Sequence, residues 1–141
     1  MEESRVRGEF EVQLTPREGA AESVGRMTID KSYRGALEAV SRGEMLTAGT
    51  TVPGSAGYVA IERVDGTLDN RAGTFILQHS ATMTRGTPLL SIGVVPDSGT
   101  GELIGLVGRM KIDIEGGKHF YVFEYTLPEY GHGGEREGGR D

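Results

Sequence analysis

The chain has 141 residues, with 15 Lys or Arg against 21 Asp or Glu and a formal net charge of −6. It holds no cysteine, which excludes disulfides and thiolate metal sites. Its basic residues stand singly among carboxylates, so no basic stripe is offered to nucleic acid.

Residues 1–7 are charged and have only Val6 to bury, which predicts a disordered N-terminus and a domain over 8–128. Phe10, Val12 and Leu14 alternate with Glu9, Glu11 and Gln13, the period of a strand with one buried face. Turn residues at 15–19 end it. A second strand is expected over about 23–31, with Met27 and Ile29 on one face, and a third from Tyr33. Residues 36–40 contain good helix formers. The alternation of Tyr33, Gly35, Leu37 and Ala39, and the need of neighbouring strands for partners, favour a strand there. Val59 and Ile61 lead a fourth strand, ending at Asp65-Gly66. Further strands are expected over 74–84, 89–95, 103–114 and 119–127, and Gly116-Gly117 marks a hairpin between the last two. The tail, 129–141, is rich in glycine with Tyr130 as its only sizeable apolar group, and is expected to be disordered.

Eight antiparallel strands at this spacing suggest a sandwich or a barrel. Closure removes exposed edges. The glycines at 35, 57, 93, 105 and 108, read as lying within strands, favour it, because barrel strands bend sharply at such positions. The fold expected is an all-β, eight-stranded antiparallel closed barrel. Such a barrel is filled by side chains or holds one small ligand. There is no basic start followed by an apolar stretch, and no run of about 18 apolar residues. The expectation is therefore a cytoplasmic protein without a membrane partner.

Several runs carry a resemblance. They are Gly43-Glu44-Met45-Leu46, Ser55-Ala56-Gly57-Tyr58-Val59-Ala60-Ile61-Glu62 and Leu77-Gln78-His79-Ser80. Val94-Val95-Pro96-Asp97-Ser98-Gly99-Thr100-Gly101-Glu102-Leu103 and Gly117-Lys118-His119-Phe120-Tyr121-Val122-Phe123-Glu124-Tyr125 complete them. In this order, over about residues 8–127, they resemble the bacterial domain of unknown function 3224 family. The resemblance implies an allene oxide cyclase-like, calycin-like barrel and no particular chemistry.

The candidate site residues are polar groups within strands. Tyr58 and Glu62 share one face by alternation, and Gln78 and Ser80 share another, while Glu44 and Glu124 interrupt apolar runs. Turned inward, these would bring carboxylates, an amide and a phenol into one cavity. A carboxylate there would have a raised pKa and act as general acid or base, which makes Glu44 and Glu62 the catalytic candidates. Turned outward, they would be solvated or paired with Arg26, Arg63 or Arg109. His79 shares a face with Leu77, Ala81 and Met83. It reads either as a ligand-orienting donor or, more commonly for such a face, as a hydrogen-bonded core residue. His119 reads as a strand-start residue. The histidines are too far apart in sequence for metal-ligand spacing. Asp97, Ser98 and Thr100 sit in a turn that lacks the following helix a phosphate cradle needs, and could form the rim of a barrel mouth.

Three readings follow, none with a cofactor. One is a barrel binding a small apolar or mixed molecule through Tyr58, Gln78, His79, Ser80 and Glu124. Another is a cyclase or isomerase using an interior glutamate. The last is a homo-oligomeric scaffold with a filled core.

Overall fold

Alternating side chains produce eight strands in the computed structural model, which describes residues 3–19 and 23–128. In chain order they are β1 (Ser4–Arg17), β2 (Gly25–Arg34), β3 (Leu37–Gly49), β4 (Ala56–Leu68), β5 (Arg71–Thr84), β6 (Thr87–Val94), β7 (Val107–Glu115) and β8 (Lys118–Thr126). Each pairs antiparallel with the next, and β8 returns to β1, closing the barrel. Residues 37–40 are strand and not helix, but the third strand does not begin at Tyr33: Tyr33 belongs to β2, residues 35–36 turn, and β3 starts at Leu37. No helix among the described residues is long and apolar enough to cross a membrane.

Three further local expectations are corrected. β1 begins at Ser4, and residues 4–7 pair with β8 in the register that closes the barrel, Ser4 opposite Tyr125 and Val6 opposite Phe123. Cross-strand pairing supplies the ordering that local composition lacked. Residues 103–106 are not strand, because the chain makes a 3-10 turn at Gly101–Leu103 before entering β7. Gly35 and Gly105 stand outside the strands at φ of 114° and 88°, where they reverse the chain. The expected tail, 129–141, lies outside the described residues.

The barrel has two unlike ends. At one end, Leu37, Leu68, Phe75, Leu77, Phe123 and Leu127 fill the interior, with Phe75 and Phe123 stacked at 5.8 Å. The 95–106 connection folds over this end and inserts Leu103 and Leu106, each 1% exposed. Its polar groups replace the strand partner that β5 loses there. The Ser98 hydroxyl accepts from the Ile76 N–H, Thr100 Oγ1 from the Thr74 N–H, and the Glu102 carboxylate from the Ala72 N–H. The opposite end carries the β3–β4 and β5–β6 turns and stays open.

The wall is uneven. β6 meets β7 at two residue pairs, Ile92 with Met110 and Gly93 with Arg109. Toward the open end the two strands splay, and β6 there pairs only with β5 and β7 only with β8. On the other side, β3 and β4 lie against each other along their whole length. Gly43 faces inward there beside Glu62. A Cβ added at Gly43 would lie 2.0 Å from the Ile61 carbonyl and 2.6 Å from Glu62 Cα. Backbone cannot yield to that contact as a side-chain tip would. Gly43→Ala is therefore expected to destabilise the barrel by about 1–3 kcal/mol in urea unfolding. An unchanged midpoint would show that the close approach is not required.

Candidate functional site

Parity along the strands decides which side chains enter the barrel. On β2 the inward row is Met27, Ile29, Lys31, Tyr33; on β4 it is Ala56, Tyr58, Ala60, Glu62, Val64; on β5 it is Phe75, Leu77, His79, Ala81, Met83. Each row is apolar except near mid-barrel, where Lys31, Glu62 and His79 meet.

Glu62 is the centre of this meeting, with no solvent exposure. Its Oε2 accepts from Lys31 Nζ at 2.8 Å and contacts His79 Nε2 at 2.6 Å, while Oε1 accepts from the Tyr33 hydroxyl at 2.6 Å. Burial by itself pushes a carboxyl pKa up. Here the His79 hydrogen bond, the Lys31 charge and hydrogen bond, and the Tyr33 hydrogen bond prevail and hold the Glu62 carboxyl at about 2. The group is ionised and can only accept, so His79 Nε2 must carry the proton between them. That commits one ring nitrogen and leaves Nδ1 as the nitrogen Glu62 does not engage. Burial, then the Glu62 charge, hold the Tyr33 hydroxyl well above the ordinary tyrosine range. Burial and then Glu62 also raise Tyr58. Both phenols are neutral donors. Lys31 Nζ lies 5.0 Å from the Phe10 ring centre, close enough for a cation–π contribution.

Above this cluster the barrel is open. A cavity of about 690 Å³ runs from Lys31 and His79 to the mouth. Its walls are mainly apolar: Val12, Ile29, Met45, Ala81 and Ile112 among them. Tyr58 and His119 add polar edges. Where β6 and β7 splay, Leu90 and Ile112 line the interior, and Leu89 and Ile114 stand 74% and 66% exposed at the opening. Glu62 is sealed beneath and does not line the cavity.

The structure brings together Tyr58, Glu62 and His79, with the two rings 6.3 Å apart. It does not bring the other candidates to them. Glu44 is on the outer face, where its Oε1 accepts from Arg26 Nε at 2.8 Å. That bond, followed by the Arg26 charge, lowers its pKa. Gln78 and Ser80 also point outward, since each is one residue out of step with His79. Glu124 is half-buried on the outer side, in charge pairs with Arg109 at 3.0 Å and Arg5 at 3.4 Å. Asp97, Ser98 and Thr100 belong to the connection over the plugged end, away from the open mouth. The raised carboxyl pKa expected for an interior glutamate is also corrected. Glu62 is interior, but three donors lower its pKa and leave it a very weak base.

Lys31, Tyr33 and the cavity position of His119 were not singled out from sequence. The signal for Lys31 was present: a lysine in step with Met27, Ile29 and Tyr33 on one strand face must either break that face or find a buried anion. Among the described residues, no three His, Asp or Glu side chains are grouped to hold a metal ion.

The chain belongs to the family described as protein of unknown function DUF3224, whose model matches residues 6–125. It is similar to a solved crystal structure of a DUF3224 family protein of unknown function from Shewanella oneidensis MR-1. The two are 52% identical with a TM-score of 0.86, over 91% of this chain and 99% of that one. No curated protein matches.

Replacing Glu62 by Gln would leave the Lys31 ammonium buried without its counter-charge, at a cost of about 3–5 kcal/mol at neutral pH. The sign with pH follows from the lowered pKa. The stability Glu62 contributes is fully present above the ordinary carboxyl value of 4.5 and is lost as pH falls toward 2. Denaturant unfolding of wild type and Glu62→Gln at pH 7 and pH 3 should therefore show a gap that narrows at the lower pH. A gap independent of pH would contradict the buried ionised carboxylate.

Proposed function

We propose that this barrel binds a small, mainly apolar molecule in its open end. The observation that carries the reading is the apolar cavity of about 690 Å³ above an end occupied by the buried aromatic and aliphatic core. Ligand sites in proteins are commonly concave, of about 300–1,000 Å³, and apolar with a few convergent polar groups. Lys31, Tyr58 and His79 are those groups. The splayed β6–β7 wall, flanked by exposed Leu89 and Ile114, supplies an apolar route in. A scaffold with a filled core does not fit an interior that is open over its upper half.

One contact favours a second reading, proton-transfer catalysis of the cyclase or isomerase type. A carboxylate that fixes a histidine tautomer from behind is a common way to orient a general base. In that reading His79 would transfer the proton and Glu62 would position it. Glu62 itself has neither the exposure nor the basicity for the step.

The neutral apolar fluorophore N-phenyl-1-naphthylamine tests the binding reading. Wild type is expected to raise its emission and to gain thermal stability as it saturates. Ala81→Trp, which fills the mid-cavity from β5, is expected to abolish both effects while the barrel still unfolds cooperatively. Equal binding by the two proteins would place the probe elsewhere, and no binding by wild type would overturn the proposal.

A further inference from the structure

The charges around the cavity are one-sided. The chain as a whole carries more acidic than basic residues. Yet among the described residues the titratable side chains that line the cavity are Lys31, His79, His119 and Tyr58, with no carboxylate. The interior carboxylate, Glu62, lies behind Lys31 and His79 with its oxygens occupied by three donors. A cationic ligand would therefore meet bases and no counter-charge. An anionic head would meet the Lys31 ammonium and the Tyr58 hydroxyl.

Charge balance then constrains the binding step. With His79 neutral, the Lys31 and Glu62 charges cancel and the cavity floor has no net charge. An anion brought there would be an unpaired buried charge, which is strongly unfavourable. One added proton removes the cost. Lys31 is already charged, and the phenols of Tyr33 and Tyr58 already hold their protons. His79 has a nitrogen not engaged by Glu62, and Glu62 stands ready on the other nitrogen to stabilise an imidazolium. Glu62 from β4 contacts His79, and the Tyr58 ring, also from β4, lies 6.3 Å from it; Lys31 and Tyr33 from β2 reach the same Glu62 carboxylate, and His119 from β8 shares the cavity lining. Strands β1, β3, β6 and β7 add no titratable side chain to the lining.

We infer that the molecule held in the cavity is a monoanionic acid with an apolar body, its acid group at Lys31, His79 and Tyr58, and that its binding is coupled to uptake of one proton by His79. The inference rests on the ligand-binding reading above and names the class of ligand.

The test is calorimetric titration with decanoate and with decanol, which share an apolar chain and differ in the head. Decanoate is expected to bind more tightly than decanol at pH 6. Its Kd should rise with pH, by up to tenfold per unit, while that of decanol stays level. Titration in two buffers of different ionisation heat should count about one proton taken up with decanoate and none with decanol, a readout that needs no variant. His79→Gln, which keeps a donor for Glu62, should flatten the pH dependence and weaken decanoate at pH 6 by at least about tenfold. Tyr58→Phe should weaken decanoate at every pH without changing the slope, and His119→Gln should leave the slope intact. Binding of decanol with exclusion of decanoate would overturn this inference and leave the cavity reading standing. So would decanoate binding without proton uptake, or a slope that follows His119. Binding of neither would overturn the cavity reading itself.

Discussion

A carboxylate with no exposure cannot stand alone in an apolar interior, and the arrangement of this barrel follows from the donors Glu62 requires. Lys31 and Tyr33 come from β2, His79 from β5, and the carboxylate from β4. None of these contacts is local in sequence, so each fixes the register of one strand against another across the interior. Gly43 completes the arrangement by letting β3 approach the Glu62 backbone more closely than any side chain would permit. A network of this kind contributes little net stability, because desolvating the charges costs about what their attraction returns. Its effect is to make one arrangement far better than the alternatives, since a strand slipped by one residue would put Lys31 outside and leave Glu62 buried without its counter-charge.

The cluster also divides the barrel. Below it, aromatic and aliphatic side chains together with Leu103 and Leu106 form the buried core. Above it, Ala56, Ala81, Gly49 and Gly57 are too small to fill the space between strands, and the methionines at 27, 45 and 83 line it without closing it. The polar floor is therefore anchored from beneath by a rigid core and exposed from above to a cavity. The donors facing upward are held by contacts that do not involve a ligand, which lowers the ordering cost of binding.

The fold was legible because it rests on period and punctuation. Phe10, Val12 and Leu14 show the alternation directly, and eight such segments with glycine-rich turns leave few architectures. What was not legible was pairing across the barrel. Residues 4–7 look unable to order until β8 is placed beside them, and 103–106 look like strand until their role as a plug is seen. At the site, parity grouped Tyr58 with Glu62 and set His79 among apolar neighbours. It could not say which face was interior, so Gln78, Ser80 and Glu44 remained equal candidates until the fold turned them outward. Lys31 was the most readable of the missed residues, because a lysine in an apolar row implies a buried partner.

The central claim, that the upper interior is a ligand cavity, is tested most directly at the methionine methyls. Met27, Met45 and Met83 line the cavity, whereas Met110 is packed in the core. In a protein labelled with carbon-13 at its methionine methyl groups, titration with N-phenyl-1-naphthylamine should shift the Met27, Met45 and Met83 signals together along one saturation curve and leave Met110 in place. If those three signals stay fixed while the fluorophore binds, the ligand sits on the outer wall and the cavity is not the site.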